Sequence, residues 1–211
     1  MIHKILPVGM LACNCHIVGD ETSGEALVID PGDEVERIQQ VLASHKLKVK
    51  LIVATHAHID HVGGLAELQK FTGAPVLMHQ EDMPLYQNLA MQAAWVGMEA
   101  PAVIEVSGFL RDGDALRWGA FNAEVIATPG HSPGSLSLYM PGEDGRLFSG
   151  DTLFQGSIGR TDLWGGDFRQ IINSIRQRLL ALPDATPVFP GHGPATTIGV
   201  ERESNPFLLQ P

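Results

Sequence analysis

Hydrophobic and polar positions change period along the chain, and the period predicts its elements. The runs IHKILPV (2–8) and CHIVGD (15–20) flank a short turn, and EALVIDPG (25–32) ends in a Pro-Gly turn, so strands are expected there. DEVERIQQVLASHK (33–46) places Val35, Ile38, Val41 and Leu42 at helical spacing behind acidic first-turn residues. VKLIVATH (49–56) is a short β-branched run that reads as a buried strand. GGLAELQKFTG (63–73) reads as a helix closed by Gly73, and APVLMH (74–79) as another strand. Strand, helix, strand, helix, strand argues for an α/β architecture.

A helix is expected over MPLYQNLAMQAAW (83–95), its methionines filling core. Strands return in LRWGAFNAEVIATPG (116–130), GSLSLYMPG (134–142) and GRLFSGD (145–151), and the turn signals RDGD (111–114), PGEDG (141–145) and TPG (128–130) fit hairpins. DFRQIINSIRQRLLALP (167–183) is an amphipathic helix stopped by Pro183, and TPVFPGHGP (186–194) is a last strand running into a loop. The simplest organisation is one domain over 1–211, with two strand-rich halves and no linker.

Composition narrows the function. A net charge of -10, with no basic cluster beyond the solvated SHKLKVK (44–50), argues against a nucleic-acid partner. Cys13 and Cys15, the only cysteines, lie two apart on a strand and point to one face, so they are expected as buried free thiols. No apolar run reaches membrane-helix length, and MIHKILPVG does not read as an export leader. A cytoplasmic protein with no membrane partner is expected.

Candidate chemistry gathers at strand ends. VIDPG ends in Asp30, LIVATHAHIDH runs into His56, His58, Asp60 and His61, VIATPGH leads to His131, LFSGD ends at Asp151, and PVFPGHG leads to His192. Sites in open α/β sheets form beyond the carboxyl ends of strands. Imidazole with carboxylate suits zinc, iron or manganese. On an extended loop, positions 56, 58 and 60 share one side, and Gly63 and Gly64 let the backbone turn closely. The candidate ligands exceed the four that one tetrahedral zinc takes, which points to two metals. We assign His56, His58 and His131 to one, Asp60, His61 and His192 to the other, and Asp151 to both. Asp30 is expected to orient a ligand histidine from outside the metals, with a strand-end turn before Pro31 as its alternative role.

THAHIDHVGG (55–64), PGHSPGS (129–135), SGDTLF (149–154) and GHGP (191–194), in this order, resemble the motifs of the metallo-β-lactamase superfamily. GSIGRTDLWGGD (156–167) and GHGPATTIGVERESNPF (191–207) resemble its compact glyoxalase II-like hydrolases, the hydroxyacylglutathione hydrolase type. The resemblance implies a four-layer αββα sandwich with a dinuclear site at one edge, zinc first, iron or manganese as alternatives. It implies thioester hydrolysis, typically of S-D-lactoylglutathione, by a metal-bridging hydroxide, with Asp60 as the catalytic ligand. Arg160 matches a basic residue that contacts glutathione in those enzymes, although Asp162 replaces an aromatic residue two positions on, and an Arg160–Asp162 pair is the alternative role. The C-terminal helical domain of the larger glyoxalase II enzymes is not expected in this chain. The persulfide dioxygenases, which also carry a GRTD element, offer the rival chemistry: one iron on His56, His131 and Asp151.

Overall fold

Two antiparallel strands start the first sheet. In a computed structural model, which describes residues 1–142 and 145–209, β1 (Ile2–Val8) pairs along its length with β2 (Cys13–Gly19), Ile2 opposite Gly19 and Val8 opposite Cys13. β2 is buried at every position, and Cys13 and Cys15 are free thiols within it. β3 (Glu25–Ile29) pairs antiparallel with β2, and β4 (Lys48–Val53), β5 (Val76–His79) and β6 (Gly108–Leu110) follow in parallel. The strand order is β1-β2-β3-β4-β5-β6.

Helices make the parallel crossovers. α1 (Val35–Ser44) joins β3 to β4 and buries Val35, Ile38 and Leu42, one stripe of its 3.6-residue repeat. The short α2 (Ile59–Val62) and α3 (Leu65–Thr72) join β4 to β5. α3 ends on Gly73, whose φ of 67° is the left-handed cap that favours glycine. Val35, Ile38, Leu65 and Leu68 share one core with Ile17, Val28, Ile52, Val76 and Met78.

The helix expected over 83–95 is broken in two. A 3-10 turn at Gln80–Asp82 leads into α4 (Met83–Gln87), and α5 (Leu89–Val96) starts anew. Asn88 interrupts the run: its backbone leaves helical geometry, and its side-chain amide donates to the Pro84 carbonyl.

The second sheet has the order β14-β13-β10-β9-β8-β7. β7 (Ala115–Trp118) precedes β8 (Phe121–Ala127), which is antiparallel to β9 (Leu136–Met140), itself antiparallel to β10 (Arg146–Gly150). β11 (Leu153–Phe154) and β12 (Ser157–Ile158) form a small hairpin. β13 (Pro187–Pro190) lies parallel to β10 and antiparallel to β14 (Thr196–Thr197). The RDGD turn is not a hairpin: it follows β6 of the first sheet and precedes β7 of the second, so its flanking strands never pair. The PGEDG turn lies partly outside the described residues.

α6 (Phe168–Ser174) starts the amphipathic helix, but Ile175–Leu179 widen into a π turn, closed by a bond from the Leu180 N–H to the Ile175 carbonyl. Ile171, Ile175 and Leu179 pack with Leu147, Val188 and Ile198 in the second core. A last helix, α7 (Ile198–Ser204), was not expected; the Thr197 side chain caps it. The chain divides into two compact units, Met1–Leu110 with Arg117–Phe121, and Arg111–Leu116 with the residues from Asn122 onward. Among the described residues, no helix is long and apolar enough to cross a membrane.

Candidate metal centre

In the first unit, β3 and β4 run parallel and their carboxyl ends lie at one sheet edge. Asp30 follows β3 with φ 51°, a left-handed conformation that aspartate tolerates better than most residues. Its carboxylate faces the segment after β4. Oδ1 accepts the Thr55 N–H at 2.7 Å, and Oδ2 accepts the Thr55 hydroxyl at 2.7 Å and His61 Nδ1 at 3.0 Å.

These bonds decide the imidazole tautomers. The single Thr55 proton is committed to Asp30, so the Thr55 oxygen accepts from His56 Nδ1 at 3.1 Å. His61 Nδ1 likewise donates to Asp30. Both rings then carry their proton on Nδ1 and keep the Nε2 lone pair for a ligand. Donor atoms of Asp30, His56 and His61 all lie within 4.8 Å of one another, and the ring centroids of His56 and His61 are 4.1 Å apart. The His58 ring stands edge-on to His56 at 4.8 Å, and Asp60 Oδ2 is 3.6 Å from His61 Nε2. His56 and His61 are at most 1% exposed, and polar groups so buried are costly without partners.

The loop is only partly extended. Ile59–Val62 form a helical turn in which the His61 and Val62 N–H groups return to the His58 carbonyl. Asp60 and His61 are therefore presented from a helix, and the alternation read for 56, 58 and 60 stops at His58. Gly63 and Gly64 are needed for a different reason than expected. Both are right-handed, and a side chain on either would run into the backbone carbonyls of Gly32 and Pro31. A Cβ on Gly32 would overlap the Asp60 carbonyl. The turn after β3 and the His-rich loop thus touch backbone to backbone.

In the second unit, β8, β10 and β13 point the same way, and His131, Asp151 and His192 follow their carboxyl ends. His131 Nδ1 donates to the Arg160 carbonyl at 2.8 Å, which leaves its Nε2 lone pair available. Asp151 Oδ2 is 3.6 Å from His131 Nε2 and 3.7 Å from His192 Nε2. One carboxylate oxygen between two imidazoles suits a ligand shared by two cations. A side chain on Gly159 would overlap the Asp151 carbonyl, so the segment that brings Arg160 to His131 also needs a glycine.

The Arg160 guanidinium makes two 2.8 Å bonds to the Asp162 carboxylate. That pairing holds Asp162 down at about 2 and raises Arg160. Thr55, Cys13 (Sγ 3.4 Å from His61 Nδ1) and the Arg160 carbonyl touch the candidate ligands without having been singled out for it. Thr55 is adjacent to His56 and could have been flagged; a main-chain carbonyl leaves no mark in a sequence.

The donors fit divalent metal: imidazoles with committed Nδ1 protons, together with carboxylates. The sequence matches the metallo-beta-lactamase superfamily over residues 8–192. It is 39% identical to the hydroxyacylglutathione hydrolase GloC of Haemophilus influenzae, over 97% of each chain. Among solved structures, the B3 metallo-beta-lactamase BLEG-1 superposes with a TM-score of 0.92 at 37% identity, over 99% of this chain and 100% of that one. TTHA1623, crystallised in a di-iron-bound form, gives 0.86 at 40% identity, over 97% and 100%. ETHE1 from Myxococcus xanthus gives 0.82 at 30% identity, over 98% and 84%. The chain belongs to the metallo-beta-lactamase superfamily and has its fold, as a metal-dependent hydrolase.

Proposed function

We propose that this protein hydrolyses a thioester, S-D-lactoylglutathione or a related hydroxyacylglutathione. The observation that carries the reading is the 39% identity to the Haemophilus influenzae hydroxyacylglutathione hydrolase, over 97% of each chain. In this reading His56, His58 and His131 hold one metal, Asp60, His61 and His192 hold a second, and Asp151 serves both. Zinc is the proposed metal, and iron or manganese suits the same donors. The di-iron form of TTHA1623 supports a two-metal site.

When bound, the metals supply a water acidified toward neutral pH and positive charge for the developing oxyanion. The protein's own groups do the positioning. Asp30 and Thr55 hold His61 and His56 in the tautomer that places the ring lone pair on Nε2, and the Arg160 carbonyl does the same for His131. A thiolate leaves with little need of a proton, so no dedicated general acid is required. We assign the Arg160 side chain to the glutathione-linked part of the substrate, which it can meet by exchanging its exposed bonds to Asp162. A small-molecule substrate, a cytoplasmic location, and neither nucleic-acid nor membrane partners complete the proposal. Two buried free thiols are consistent with a reducing compartment.

The rival reading is a one-iron persulfide dioxygenase on His56, His131 and Asp151, for which the likeness to ETHE1 leaves room. The purified protein should be analysed for metal and assayed with S-D-lactoylglutathione, glutathione persulfide and a β-lactam. Two metals per chain with thiol release is the expected result, and Asp60→Ala should lose the second metal and most of the hydrolysis. One iron with oxygen uptake, or β-lactam cleavage without thioesterase activity, would overturn the proposal.

A further inference from the structure

The loop after β4 carries His56, His58 and Asp60, and between them stand Ala57 and Ile59, whose side chains are buried in the first core. The main-chain groups of those two intervening residues are gripped from a distant part of the chain. Asp82 Oδ2 accepts the Ala57 N–H at 2.9 Å. Gln92 Oε1 accepts the Ile59 N–H at 3.0 Å, and Gln92 Nε2 donates to the Ala57 carbonyl at 3.1 Å and the Leu85 carbonyl at 3.0 Å.

Neither residue serves its own helix in the usual way. Asp82 stands at the N-cap position of α4, yet its carboxylate makes no capping bond there. The first N–H groups of a helix need outside acceptors, and His58, the N-cap of α2, supplies none from its side chain. Gln92 meets that need from α5. Asp82 is fully buried and Gln92 is 7% exposed, and burying a carboxylate and an amide is costly unless their bonds are made. Apolar side chains would fill the same core positions more cheaply. The grip does something apolar packing cannot. It fixes the rotation of the peptide planes on either side of His58, and so the directions in which His56, His58 and Asp60 project.

We propose that Asp82 and Gln92 are positioning residues that set the geometry of the metal-holding loop, and that metal affinity depends on them beyond their share in folding. The proposal rests on the reading that His56, His58, Asp60 and His61 hold metal.

The full-length protein, freed of metal and titrated with cobalt(II), provides the test. Visible absorption reports the ligand arrangement, chelator competition reports affinity, and the melting temperature of the metal-free protein reports the fold. Gln92→Leu should lower cobalt affinity by about 10- to 100-fold, the range seen when groups supporting metal ligands are removed, and should alter the spectrum. Gln92→Glu should do the same. It keeps an acceptor for the Ile59 N–H but sets a carboxylate oxygen against the Ala57 and Leu85 carbonyls. Asp82→Asn, which keeps an acceptor for the Ala57 N–H, should stay close to wild type. Variants of Gln92 with wild-type affinity and spectrum would overturn the proposal, and so would a lowered melting temperature with both unchanged. Should Gln92→Leu not fold, Gln92→Glu decides by the same criteria. Wild-type protein that binds no cobalt would instead defeat the underlying metal reading.

Discussion

Asp30→Asn is a sharp perturbation of the first ligand set because it keeps the shape of the side chain and removes one acceptor and the charge. Three donors converge on the carboxylate: the Thr55 N–H, the Thr55 hydroxyl and His61 Nδ1. An amide offers one oxygen. If that oxygen faces the Thr55 N–H, the new NH2 group faces His61 Nδ1, which must then accept. Its proton moves to Nε2, where the metal is proposed to bind. If the amide turns the other way, two buried N–H donors meet. Either arrangement loses or weakens two bonds to a charged acceptor. At about 1.5–3 kcal/mol each, the metal-free protein should lose about 3–6 kcal/mol of stability. With a urea slope of about 2–3 kcal/mol per molar, the midpoint should fall by about 1–3 M while the slope stays unchanged. Metal affinity should fall by about 10- to 100-fold. Urea curves followed by circular dichroism and by tryptophan fluorescence, with chelator competition alongside, test both. A midpoint within about 0.3 M of wild type, together with unchanged metal affinity, would refute the argument that Asp30 fixes the His61 tautomer.

Three further outcomes are expected. Asp162 should titrate at about 2 by carboxyl NMR, and Arg160→Ala should bring it back toward 3.8; because the folded value is depressed, the pair's small contribution is present above the unfolded pKa and is lost as pH falls through about 2. Burial pushes the Cys15 thiol well above its ordinary 9.0, so its contribution is complete below that value and is lost at higher pH. Thiol reagents should therefore leave the native protein unmodified near neutral pH and titrate two groups per chain only in denaturant; rapid native labelling would contradict the burial of β2. Glu201, fully buried in α7, accepts from the Gly156 N–H, the Thr196 hydroxyl and the Asn205 amide. Glu201→Gln should leave one of these donors facing an NH2 group and cost about 1–3 kcal/mol, a fall of about 2–12 °C by calorimetry, and an unchanged melting temperature would refute that role.

Elements whose cause is local were legible. α1 and α3 announce themselves through an apolar stripe and, for α3, through Gly73. The strands β3, β4, β8, β10 and β13 show as apolar runs that end in a polar residue. Where expectation and structure part, the deciding contact is distant in sequence. RDGD carries good turn chemistry, but whether a turn makes a hairpin depends on which sheet each neighbouring strand joins. The helix over 83–95 has the right composition and is broken by one asparagine amide bonding back to Pro84. α7 shows no broad apolar stripe among its polar residues, and only Thr197 before it and Asn205-Pro206 after it mark it in the sequence.

The same division runs through the site. Residue chemistry and strand-end position pick out His56, His58, Asp60, His61, His131, Asp151 and His192 as candidate ligands, since imidazole and carboxylate side chains are written directly in the sequence. What orients them is not. The proton on His131 is placed by the Arg160 carbonyl, the loop around His58 is held by main-chain bonds to Asp82 and Gln92, and the turn after β3 reaches Asp60 only because Gly32 has no side chain. Every residue has the same N–H and carbonyl, so the partners of these groups are chosen by packing in three dimensions. By itself the sequence determined the inventory of metal-binding chemistry and most of the elements that deliver it. Only the tertiary structure decided tautomer, direction and spacing, because those follow from backbone contacts between segments far apart in the chain.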